Sequence, residues 1–208
     1  MTETRHTPTL FNAHLRLLPT QFKLLFTAVL WTLATGYLFA LTNLALSVGL
    51  DQAKVVEHYW GNQATQEELK ARAEGAAPAA SSSEEMSFDE LEAAAPTEPI
   101  VAVPSFSSLV AEGHFHLFGY TFIFFLCALI ISFAELDHRL RNTLILAPFV
   151  ASVFDIWSIL LTRFVGPGFS WLLMASGTVM GLSFGAVFVI SNYQMWLMKA
   201  PTQGEVTV

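Results

Sequence analysis

The chain has 208 residues, 53% of them hydrophobic and 13% charged, with a mean hydropathy of +0.51. These values exclude an ordinary soluble domain and point to an integral membrane protein. The formal net charge of −7 arises largely in one segment, residues 51–113, so it carries no sign of nucleic-acid binding, and no nucleic-acid partner is expected.

Residues 1–23 are too polar, and the apolar run after them too long, for a cleaved signal peptide, so the first span is expected to stay as an anchor. Within TLFNAHLRLLPTQFK, Leu10, Phe11, Leu15, Leu17 and Leu18 alternate with polar residues. That pattern is open between an interfacial helix and an irregular segment. A bilayer core about 30 Å thick needs roughly 20 apolar residues per helix. Four such runs follow, at 24–50, 109–134, 143–162 and 169–197, which predict an all-α bundle of four transmembrane helices.

Arg5, Arg16 and Lys23 precede the first span, Arg139 and Arg141 separate the second from the third, and Lys199 follows the fourth. Positively charged segments stay in the cytoplasm, so both termini, including the 198–208 tail, are expected there. Residues 51–108 form the long acidic exterior loop. Its first part, DQAKVVEHYWGNQATQEELKARAEG, keeps helical spacing and is expected to prolong the first helix to about Gly61, with a second short helix beyond. Residues 73–104 are rich in Ala, Ser, Glu and Pro and hold too little apolar surface to order themselves, so a disordered linker is expected.

The second span opens with EGHFHLFGYTF. Polar groups inside a bilayer are costly and usually face the interior of a bundle. Glu112 and His116 are four apart and share a face, which Gly119, Tyr120, Ile123 and Cys127 continue. His114 lies about 200° around an ideal helix from His116. One ion cannot then easily take both imidazoles, and Glu112 with His116 is the better metal pair. Gly119 beside His116 suits either the approach of a flat ring such as haem or a close helix crossing. For the two histidines, an interfacial position, contact with a cofactor or quinone, and metal binding all remain open.

On the third span Ser152, Asp155, Ser158 and Thr162 form a polar stripe, with Asp155 near mid-membrane. A carboxylate there needs a partner or is neutral. It could serve a proton relay, a hydrogen bond to a quinone or a haem propionate, an ion site, or simply helix packing. The fourth span carries Gly177, Gly181 and Gly185 at four-residue intervals, a face that lets another helix come close, within the bundle or from a partner subunit.

Levels limit a two-histidine haem. Glu112 lies level with about Leu46 of the first span, which puts His116 slightly below the exterior interface. His58, if its helix ran straight, would stand ~18 Å above that plane. A bend at Gly49 would bring it back. Met174 and Asn43 lie near the right level, so a His–Met haem b or a transition-metal site with Glu112, His114 or His116 is conceivable, and a partner subunit could supply a second histidine. Cys127 is the sole cysteine, which leaves no disulfide. GxGxxG, P-loop, HExxH and CxxC are all missing from the sequence, so no catalytic residue is assigned.

VVEHYWGN after the first span and EGHFHLFGYTF opening the second resemble a pattern in small, poorly characterised four-span bacterial membrane proteins that carry E-H-Y-x-G followed by H-x-H. The matching residues are Glu57, His58, Tyr59, Gly61, His114 and His116. The resemblance implies no activity, but it implies that the two segments act together. The leading expectation is a subunit of a respiratory or electron-transfer assembly in a bacterial cytoplasmic membrane, holding a b-type haem, a quinone or a metal near His114 and His116. The others are a structural or assembly protein that docks other membrane subunits or a periplasmic protein, and an ion or proton pathway along the third span.

Overall fold

A computed structural model describes residues 14–74 and 100–199. The chain forms α1 (Thr20–Ser47), α2 (Gln52–Tyr59), α3 (Gln63–Ala73), α4 (Phe106–Ile131), α5 (His138–Phe164) and α6 (Ser170–Asn192). There is no strand among the described residues. Four stretches are long and apolar enough to cross a membrane: α1, α4, α5, and Pro167–Leu197, which contains α6. The protein is therefore a multi-pass, all-α membrane protein whose long helices contact lipid. We name the end that holds Lys23, Glu135 and Arg139 the inner end, and the end that holds Gly49, Ser105 and Gly166 the outer end.

The helix starts follow side-chain chemistry. Asp51, Asn62, Ser105 and Asp137 each cap a helix by accepting a backbone N–H, satisfying donors that the first turn leaves unpaired. α5 continues through Pro148, which lacks an N–H to donate to the preceding turn.

The three later spans form the packed unit. α5 packs most extensively on α6 and next on α4. Phe124 of α4, Ala151 of α5 and Met180 of α6 make a buried cluster at their centre. The buried face of α6 carries Ser176, Met180, Ser183, Phe184, Val187 and Ser191. Small hydroxyl side chains on that face let the backbones approach, which suits helix association in lipid.

α1 stands apart. Leu30 is its only buried residue. Its inner half touches the unit through Phe26 on Phe133, Trp31 on Phe188 and Tyr37 on Phe184, and through Trp196 Nε1, which donates to Thr27 Oγ1 at 2.9 Å. The inner end is closed by Leu15, fully buried, whose N–H donates to Phe133 O at 2.9 Å. Gln194, in a π-helical turn at Tyr193–Leu197, exchanges two hydrogen bonds with the backbone of Glu135. Arg16 pairs with the Glu135 carboxylate. Of the segment expected as either interfacial helix or irregular chain, the described part holds a 3-10 turn, Leu15–Leu17, followed by the first residues of α1 from Thr20.

The first helix does not run on to Gly61. It ends at Ser47, and Gly49 at φ +95° turns the chain. A side chain there would collide with Lys54 as well as strain the backbone. α2 then lies back against the outer end, where Val55 and Tyr59 are buried with Leu109 and Ile159. Gly61, at φ +88°, makes the next turn into α3. Of the linker expected over 73–104, residues 75–99 lie outside the described residues. Its last part is held in place: Val101 N–H donates to Thr65 Oγ1 at 3.0 Å, and Arg163 Nε donates to Pro104 O at 3.1 Å.

Candidate functional site

The polar residues of the outer half converge on Asp155. Its side chain is 6% exposed and lies between three helices. Ser176 Oγ of α6 donates to Oδ1 at 3.0 Å. Tyr120 Oη of α4 donates to Oδ2 at a longer 3.4 Å. One carboxylate thus ties α4, α5 and α6 together, meeting the need of a buried acid for donors.

Around this centre, Glu112, His116 and Tyr120 recur at four-residue spacing on α4 and face the same way. The His116 ring lies 5.5 Å from that of Tyr120. Both His116 and Glu112 lie within electrostatic reach of Asp155. From above, α2 brings in Tyr59. Burial first, and then the carboxylates of Glu112 and Asp155, push its phenol well above the ordinary tyrosine range. Tyr59 was not among the expected site residues, because its level depended on the turn at Gly49. Its place in the EHY motif was the available signal.

The remaining expected residues are distributed differently. His114 is exposed, with its ring against Phe115 and Phe118, so it stands away from the face of His116. His58 packs edge-on against Tyr59, at 4.7 Å between ring centroids. The height that separated His58 from His116 assumed a straight helix, and the chain instead turns at Gly49. Among the described residues no three His, Cys, Asp or Glu side chains gather where they could hold a metal ion, so Glu112, His114 and His116 do not form such a triad. On the third-span stripe, Ser152 and Ser158 donate to backbone carbonyls of their own helix, Phe149 O at 2.8 Å and Asp155 O at 2.7 Å. Thr162 Oγ1 is buried without a partner among the described residues.

The site opens sideways. Every residue of α1 from 38 to 47 is exposed, so the outer half of that helix leans on nothing. His116 and Gly119 of α4 are exposed as well. A Cβ at Gly119, Gly177 or Gly185 would meet nothing within 4 Å, whereas at Gly181 it would collide with the Tyr37 hydroxyl. Tyr37 against Gly181 is thus the floor of a cleft. Outward of that contact a gap opens between α1 and the face of α6 that carries Gly177, with Met174 partly buried on the same face.

A family model described as a transmembrane helical domain, Aq_1264_TM, matches residues 49–202. The chain belongs to that family. The matched segment starts at the turn after α1 and takes in α2 to α6, and so includes every residue around Asp155 described above. No curated protein and no solved structure matches the chain.

Proposed function

We propose that this protein is a small subunit of a respiratory or electron-transfer assembly in a bacterial cytoplasmic membrane, and that its outer cleft takes a flat, lipophilic redox ligand, a quinone in preference to a b-type haem. The observation that carries the reading is the exposed His116 imidazole in a cleft open to lipid, next to Tyr120, whose hydroxyl donates to the buried Asp155. When bound, a quinone supplies two carbonyl oxygens that take up protons on reduction. His116 would donate to the nearer carbonyl, Gly119 would let the ring lie close to the helix, and Tyr120 with Asp155 would hold a proton one step deeper. For a haem, His116 could serve as one axial ligand, and the second would have to come from His58, Met174 or a partner subunit.

The test is the protein purified in mild detergent, with extracted quinone measured by chromatography and a visible spectrum recorded before and after dithionite. Quinone should co-purify with the wild type and be lost from His116→Ala, while His114→Ala should keep it. A Soret band that shifts on reduction would replace quinone by haem. Equal quinone in His116→Ala and the wild type would overturn the reading. Asp155→Asn keeps an acceptor for Ser176 and turns an N–H donor toward Tyr120, so quinone should stay bound while its reduction slows.

A second reading has its own support: the open space at Gly177 and Gly185 suits a partner helix laid on the glycine face. Gly185→Leu would then abolish co-migration with that subunit on a native gel. An ion pathway along Ser152, Asp155, Ser158 and Thr162 draws less support, since the two serine hydroxyls are tied to their own backbone.

A further inference from the structure

On the side of α5 and α6 turned away from α1, the two helices leave a groove of about 540 Å³. Ala147, Val150 and Phe154 of α5 and Ala175 and Val179 of α6 line it, and Asn142 and Thr143 make its inner end polar. Residues three and four apart share a helix face, so the α5 stripe through 143, 146/147, 150 and 154 continues inward to Arg139. The Arg139 side chain is exposed and makes no ion pair among the described residues. The nearby acids are engaged: Asp137 caps α5 and accepts from Arg139 N–H at 2.9 Å, and Glu135 pairs with Arg16. The first turn of α5 adds the partial positive charge of a helix N-terminus. Along the axis, Arg139 to Phe154 measures about 22 Å, roughly the depth from headgroup to mid-bilayer.

We propose that this groove binds one acyl chain of an anionic phospholipid from the inner-end leaflet, with the lipid phosphate on Arg139. Charge decides the occupant. The apolar walls would accept any acyl chain, but one helical turn inward of the groove's polar end stands Arg139, without an ion pair among the described residues, and that end of the protein also carries Arg141 and Lys199. Basic sites between helices at the cytoplasmic side suit anionic headgroups, and a guanidinium matches a phosphate in two-pronged geometry.

The experiment is native mass spectrometry of the full chain in detergent, incubated with equal amounts of dioleoylphosphatidylglycerol and dioleoylphosphatidylcholine. The wild type should retain the anionic lipid over the zwitterionic one by roughly fivefold. Arg139→Gln should bring the two lipids level, and Arg139→Lys should keep most of the preference. Ala175 is exposed in the groove, so Ala175→Phe should fill it, lowering retention of both lipids without moving the thermal unfolding midpoint. Equal retention of both lipids by the wild type, an unchanged preference in Arg139→Gln, undiminished lipid in Ala175→Phe, or a second copy of the chain in place of lipid would each overturn the proposal. Ser176 lines the groove and also donates to Asp155, but the variants at Arg139 and Ala175 leave Asp155, Tyr120 and His116 intact, so this result and the quinone test can fail separately.

Discussion

α1 and the three later spans are about equally apolar, yet they meet the rest of the molecule in different ways. α5 buries a continuous face that includes Ser152, Asp155, Ser158 and Thr162, whereas α1 buries Leu30 alone. In lipid an apolar side chain gains little by leaving acyl chains for another helix, so association depends on close packing and interhelical hydrogen bonds. α5 and α6 have both, in the small residues between them and the Ser176 to Asp155 bond. For α1 the polar ties sit at its inner half, and its hydroxyls at Thr35 and Thr42 donate to its own carbonyls. The matched family segment starts after α1, in keeping with the later helices as the unit that packs together. The lesson is that hydropathy counts helices in a membrane but does not say which of them hold on to one another.

Substitutions can sharpen or break this contrast. Phe124 sits where α4, α5 and α6 meet, so Phe124→Ala should cost about 3 kcal/mol in reversible unfolding from detergent micelles. A loss below 1 kcal/mol would mean that the three helices are held elsewhere. Gly181→Leu forces Tyr37 away and should cost about 1 to 2 kcal/mol. Its signature is local: hydrogen exchange should speed up in α1 and stay unchanged in α5. Acceleration of both would join the first helix to the packed unit.

Tyr59 tests how α2 is fastened to the outer end. Its folded phenol titrates above the ordinary value of about 10. The unfolded chain would therefore ionise first, and the stabilisation present below pH 10 should fall as the pH rises above it. Fluorescence of the adjacent Trp60 should report α2 leaving the bundle at alkaline pH, with a weaker pH dependence in Tyr59→Phe. The smallest effect belongs to Leu46, 83% exposed. Leu46→Ala should change stability by less than about 0.5 kcal/mol, and a larger loss would show that something covers the outer half of α1.

The face of α4 was legible in the sequence because a helix has one period: Glu112, His116 and Tyr120 could share only one side. Asp155 was legible as a residue that needed donors, but the donors themselves were not, since Ser176 and Tyr120 are 21 and 35 positions away in sequence. His114 and His116 looked alike as letters and both are exposed, and helix phase places only His116 beside Tyr120. The continuous helix expected to about Gly61 failed for a local reason. Gly49 adopts a positive φ that other residues rarely adopt, and burial of Val55 and Tyr59 favours the return of α2.

What the sequence alone determined is the class of the protein and its four spans, because bilayer thickness converts directly into a length of apolar helix. Tertiary structure alone decided the cleft, the three-helix anchoring of Asp155, the descent of Tyr59 and the groove beside Arg139. Each depends on how far apart two helices stand. That spacing is set by small residues and hydrogen bonds meeting across the chain, which no local pattern of hydrophobicity records.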